Sequence, residues 1–197
     1  MQITVGARMT SSTTVRAVKR KRQRRDWLVE SIRTYLLPAL VDRGFEAAPR
    51  LNRGLVDREY TVSLPLGRLL RERESRLELA EIQFAPYGRA AFRINAGVPP
   101  KEGIATFTGR LAPEELDAGG LPYHFEMYAW PRWSIWFSVW RWPGRSLSQA
   151  NYDKLAIRVA SFVPELELAL REGSLGPHIR KVVIPHPSSG DSFPLRQ

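Results

Sequence analysis

His124 and Glu126 stand two positions apart in a stretch, Tyr123 to Tyr128, that alternates in the manner of a strand. At that spacing both side chains leave the backbone on the same side, where an imidazole and a carboxylate can exchange a proton as general acid and base. His-x-Glu is also half of the zinc deaminase signature, whose other half is Pro-Cys-x-x-Cys. The chain has no cysteine, so that half is missing. The same absence removes disulfide frameworks, thiolate zinc sites, iron-sulfur clusters and cysteine nucleophiles, and fits the cytoplasm. The competing role for the pair is structural, a polar sheet face with a hydrogen-bonded histidine.

Other motifs for chemistry are sparse. His178 and His186 lie eight positions apart in a proline-rich stretch, without the helical spacing that turns two imidazoles onto one metal. Glu114, Glu115 and Asp117 could approach a hard cation, yet they equally suit capping and solvating a short helix. Gly-x-Gly-x-x-Gly, the phosphate loop ending in Gly-Lys-Ser/Thr and Gly-x-Ser-x-Gly are all missing. No catalytic residue, metal or cofactor is assigned, and the balance leans away from an enzyme.

Aromatic residues carry the distinctive signal. Trp130, Trp133, Trp136, Trp140 and Trp142 are five of the chain's six tryptophans. Read as a strand from Trp133 to Trp142, the segment turns Trp136 and Trp140 to one face with Ser134 and Ser138 between them. Flat rings separated by small gaps can stack a base, a sugar or a partner's side chain. A helix laid over the face would bury the same rings as ordinary packing. If the face is open, Arg93, Asn95, His124 and Glu126 are its expected polar lining, and a protein or small ligand its expected partner.

The formal charge of +10 is unevenly spread. Residues 1–25 hold eight cations and no acid, while the remaining 172 residues hold 22 cations and 20 acids. Lys19, Arg20, Lys21, Arg22, Arg24 and Arg25 form the densest run and read as a disordered basic leader, with Met9 as an alternative start. Such a leader can bind nucleic acid or anionic lipid weakly, without sequence preference and with steep salt dependence. No stretch is apolar enough to span a membrane, and the N-terminus lacks the apolar region of an export signal.

The elements that must position these residues follow from periodicity. Asp26 can cap a helix carrying Leu28, Ile32, Tyr35, Leu36, Ala39 and Leu40 on one core-facing stripe, kinked by Pro38 and ended by Gly44 with Phe45. Val56 to Leu64, Leu77 to Phe84 and Ala90 to Val98 alternate as strands. The last two predict a hairpin through Ala85–Arg89 that pairs Ile82 with Phe92 and sets Glu81 across from Arg93. A long loop over 99–121 contains one helical turn at Pro113, and Pro122 opens the His124 strand, with Phe125 and Met127 toward the core. A three-residue turn, Trp130-Pro131-Arg132, would pair that strand with the Trp-rich one, Met127 opposite Ile135 and Phe125 opposite Phe137. Ser146 or Ser148 caps a second helix bearing Tyr152, Leu155, Val159 and Phe162, interrupted at Pro164 and continuing to Gly173. Residues 173–197 form a tail or a docked edge segment around Val182-Val183-Ile184.

Leu36-Leu37-Pro38-Ala39-Leu40 to Gly44-Phe45, Glu81-Ile82-Gln83-Phe84, Phe92-Arg93-Ile94-Asn95-Ala96-Gly97-Val98 and Gly109-Arg110-Leu111 occur in that order. Together they resemble a bacterial family known as domain of unknown function 4304, over about residues 26 to 172. The Trp-rich segment departs from that pattern. The resemblance implies an α+β fold and no activity, so it assigns no functional residue.

These observations predict a basic leader over 1–25, one α+β domain over 26–172 and a Pro/Ser-containing tail over 173–197. The domain is expected to be an antiparallel sheet of four or more strands with the N- and C-terminal helices on one face. Its expected role is a non-enzymatic binding or interaction domain acting through the tryptophan face. The alternatives are nonspecific nucleic-acid binding through the basic run and an enzyme without a recognisable motif.

Overall fold

The computed structural model describes residues 11–48, 68–106, 109–129, 135–140 and 146–184, with side chains from residue 18 onward. Its first helix, α1 (Ser11–Ser31), passes through a π turn at Ile32–Leu36 into α2 (Leu37–Val41). The strands β1 (Glu46–Ala47), β2 (Arg68–Arg73), β3 (Arg76–Phe84) and β4 (Ala91–Gly97) follow. A small separate ribbon, β5 (Ile104–Thr106) and β6 (Gly109–Leu111), precedes β7 (Tyr123–Met127) and β8 (Phe137–Ser138). Helices α3 (Gln149–Ala160) and α4 (Val163–Glu172) lead to the last strand, β9 (Ile179–Val183).

The main sheet has seven strands in the order β1-β2-β3-β4-β7-β9, with β8 also on β4, and every pairing is antiparallel. Leu69, Ala80, Ile82, Phe84, Phe92, Ile94, Phe125 and Met127 share one core with Leu28, Ile32, Leu36 and Leu40 from the N-terminal helices. The C-terminal helices add Tyr152, Val159, Val163 and Leu166 to it. The fold is α+β, with the helices packed on one face of the sheet. Across the sheet, Leu116, Ala118 and Leu121 of the long loop pack on Leu79, covering the β2–β3 half of the second face.

Local chemistry explains the breaks. Pro38 cannot donate to the helical ladder, and the turn ahead of it widens so that the Leu37 N–H reaches back to the Ile32 carbonyl. Gly44 takes φ 83°, and the Phe45 N–H donates to the Leu40 carbonyl at 3.3 Å, closing the helix with Phe45 fully buried. The break between α3 and α4 falls at Ser161 and Phe162, Pro164 sits in the first turn of α4 where its missing N–H is tolerated, and Gly173 ends α4 at φ 70°.

Four expectations need correction. Helix α1 does not begin at Asp26; it begins at Ser11, so the basic run is helical rather than a disordered leader. Ser11 to Leu37 contains no glycine or proline, and lysine, arginine and glutamine are good helix formers. The β3–β4 hairpin is displaced by two: Ile82 faces Ile94, Glu81 faces Asn95, and Arg93 faces Gln83. Its turn starts at Pro86, which has no N–H for the ladder, while the Ala85 N–H still donates to the Ala91 carbonyl at 2.9 Å. Parity survives a shift of two, so the faces stay as read.

Third, β7 and β8 are not hairpin partners, and neither Met127 with Ile135 nor Phe125 with Phe137 pairs. Both edges of β7 are already taken, by β4 and β9, so β8 pairs with β4 instead, Phe137 opposite Phe92. Residues 94–96 of β4 thus receive β7, and residues 91–92 receive β8. Fourth, the domain boundary at residue 172 moves: Ile179–Val183 is an edge strand on β7, the docked edge segment that is the alternative to a tail. The expected strand Val56 to Leu64, the turn Trp130-Pro131-Arg132, and Trp133 and Trp142 lie outside the described residues.

Candidate functional site

Strand parity puts Glu81 and Gln83 of β3, Arg93 and Asn95 of β4, His124 and Glu126 of β7 and Arg180 of β9 on the face away from the helices. Register then lines Glu81, Asn95, Glu126 and Arg180 in one row across four strands. Glu126 is the hub. The Arg93 Nη1 donates to its Oε1 at 2.6 Å, and the Arg180 Nε donates to its Oε2 at 2.6 Å. Arg93 Nε also donates to Gln83 Oε1 at 2.5 Å, and Asn95 Nδ2 donates to the same oxygen at 3.1 Å. Each guanidinium is therefore fixed in direction by its carboxylate, and Arg93 by the Gln83 amide as well.

Burial alone would push the Glu126 carboxyl up, but the His124 ring, Arg180 and Arg93 outweigh it and hold it down to about 2. Glu126 thus stays ionised at neutral pH and is a weak proton acceptor. The His124 Nε2 stands 3.7 Å from Glu126 Oε1, close enough to polarise the carboxylate but too far for a formal hydrogen bond, and Nδ1 has no hydrogen-bond partner either. With His124 2 % and Glu126 3 % exposed, the pair lies beneath the surface rather than in a solvent-facing cleft. Asn95 is fully buried as well: a Cβ at Gly119 would stand 2.7 Å from its Nδ2, so only glycine lets the loop backbone come this near.

The aromatic residues sit on the rim of this network. Arg93, held from below by Glu126, places its guanidinium 5.0 Å from the centre of the Trp136 ring. Trp136 immediately precedes β8 and is partly exposed; Trp140, two residues past it, is 78 % exposed. Trp136, over Arg93, lies on the face away from the helices. The Arg180 side chain is 44 % exposed beside Tyr128, whose ring centre lies 5.9 Å from its guanidinium carbon.

The structure thus brings Arg93, Asn95, His124, Glu126 and Trp136 into one neighbourhood, but divides them. Asn95, His124 and Glu126 are a buried support, whereas Arg93, Trp136 and Trp140 reach the surface. Gln83 and Arg180 were not foreseen as members. Gln83 could have been found by parity, being two residues from Glu81, and Arg180 by its place two residues before Val182.

Lys19, Arg20, Lys21 and Arg22 are exposed on α1, while Arg24 and Arg25 are partly buried. The Arg25 guanidinium carbon lies 5.4 Å from the centre of the Phe84 ring. Among the described residues no three His, Asp or Glu side chains are grouped to hold a metal, and no helix is long and apolar enough to cross a membrane.

No protein-family model, curated protein or solved structure matches this chain.

Proposed function

We propose that the protein is a non-enzymatic binding domain whose recognition surface is the face bearing Trp136, Trp140, Arg93 and Arg180. The observation that carries it is the held cation on a partly exposed ring: Arg93 is fixed by Glu126 and Gln83 and stands over Trp136. A surface whose rotamers are already locked loses little entropy when a partner arrives, and exposed tryptophan with arginine is the composition that dominates binding energy. The depressed Glu126 carboxyl and its burial favour support over acid–base turnover. Likeness to domain of unknown function 4304 is proposed on the motifs quoted above and adds no activity.

Titrating nucleotides, oligosaccharides and short acidic peptides into isotopically labelled protein tests the proposal. Ligands that bind should move the indole N–H signals of Trp136 and Trp140 together with the Nε–H of Arg93. Trp136→Ala and Trp140→Ala should abolish those shifts in a still folded protein. Binding that moves none of these signals, or that survives both substitutions, would refute the assignment.

A further inference from the structure

The basic run is part of a helix, and that changes what it can hold. A disordered cationic tail wraps any polyanion, whereas a helix fixes its charges in space. At 100° per residue, Lys19, Arg20, Lys21 and Arg22 point in four different directions around one axis. Lys19 to Arg25 contains six cations and no apolar residue. A helix lying on a lipid surface needs a broad apolar face to bury, and this segment has none. The flat acidic surface of a protein would meet only one side of a helix charged all round.

A groove walled by phosphates on both sides meets every side but one. The major groove of B-form DNA is about 12 Å wide, and a helix with its side chains is about 10–12 Å across. The A-form RNA major groove is too narrow to admit it. The arm is also seated: a Cβ at Gly88 would lie 3.6 Å from Lys21 Cε and 4.0 Å from Arg25 Nη1, so α1 leans on the β3–β4 turn.

We propose that the exposed Lys19–Arg22 turn of α1 is a rigid arm that enters the major groove of double-stranded DNA and binds phosphates without reading sequence. This does not depend on the tryptophan face. Four exposed cations imply a slope of log affinity against log salt of roughly −3.6, so affinity falls on the order of a hundredfold between about 50 and about 200 mM salt.

Fluorescence anisotropy of the full chain with a labelled duplex, the matching single strand and a duplex RNA tests this, alongside flotation with phosphatidylserine vesicles. The duplex DNA should bind most tightly, with that salt slope. The combined Lys19→Gln, Arg20→Gln and Arg22→Gln variant should keep its melting temperature, lose at least about tenfold in affinity and flatten the slope to roughly −1. Gln23→Pro retains every cation but breaks the helix between the exposed cations and the domain; it should weaken duplex binding at least about fivefold. Equal or tighter binding to single strands, RNA or vesicles would overturn the proposal. So would an unaffected Gln23→Pro or an unaffected triple variant, each checked for the wild-type fold by the near-ultraviolet signal.

Discussion

Two clusters of arginine and glutamate sit on opposite faces of the same sheet. On the helix side, Arg71 of β2 donates through Nε to Glu78 Oε2 at 2.9 Å, and through Nη1 to Glu167 Oε1 at 2.6 Å and to the Arg43 carbonyl at 2.7 Å. Its guanidinium carbon lies 4.2 Å from the centre of the Phe45 ring, and Glu78 is fully buried with Arg73 and Arg76 at its second oxygen. On the other side, Arg93 and Arg180 share Glu126, but both guanidiniums reach solvent and the cluster continues outward to Trp136. The first cluster closes around a sealed carboxylate, with the Arg73 Nη2 left 3.8 Å from it and without a hydrogen bond, and ties α4 and the Gly44 turn to the sheet. The second leaves His124 and the Asn95 Oδ1 without hydrogen bonds and turns its cations outward. A closed ion cluster holds elements together; one that ends at the surface on tryptophan is the basis of the binding role proposed above.

The sharpest way to break this contrast is at Glu78. Glu78→Ala leaves Arg71 buried with half of its carboxylate partners and should cost on the order of 3–5 kcal/mol, read from the urea midpoint. A loss below about 1 kcal/mol would place the two clusters in the same class. Glu126→Gln should cost less, about 1–3 kcal/mol, because both of its arginines can turn to water.

The Glu126 carboxyl also gives a pH signature. Its folded value, about 2, lies below the ordinary 4.5, so ionised Glu126 stabilises the fold fully above about pH 5. That contribution is lost as pH falls toward about 2. Melting temperatures measured over this range should fall more for the parent protein than for Glu126→Gln, and parallel curves would show the carboxylate to be uncoupled from stability. The smallest stability effect belongs to Trp140→Ala. With the ring 78 % exposed, unfolding free energy should stay within about 0.5 kcal/mol by chemical denaturation, while any ligand shift at the face disappears.

The helices, β3, β4 and β7 were legible because each has one apolar face, and periodicity reports that directly. Strand β2 was not. Arg-Leu-Leu-Arg-Glu-Arg does not look like a buried strand until Arg71 meets Glu78 and Glu167, which lie 7 and 96 residues away. Its turn is equally concealed: Glu74 and Ser75 take φ 52° and 58°, where Asn-Gly would be the usual signal. Parity found the polar members of the candidate site, since it survives a register shift of two. It could not tell that the Gly119 loop would bury Asn95, nor that β9 would arrive to occupy the edge of β7, because both depend on chain far away in sequence.

One consequence of the shared β4 edge concerns how this domain can change. Strands β7 and β8 are each registered on β4 independently, so the span joining them can lengthen, shorten or swap its residues without sliding either strand. The scaffold therefore presents a cassette: the span between Met127 and Phe137 can be exchanged while the framework on either side of it stands.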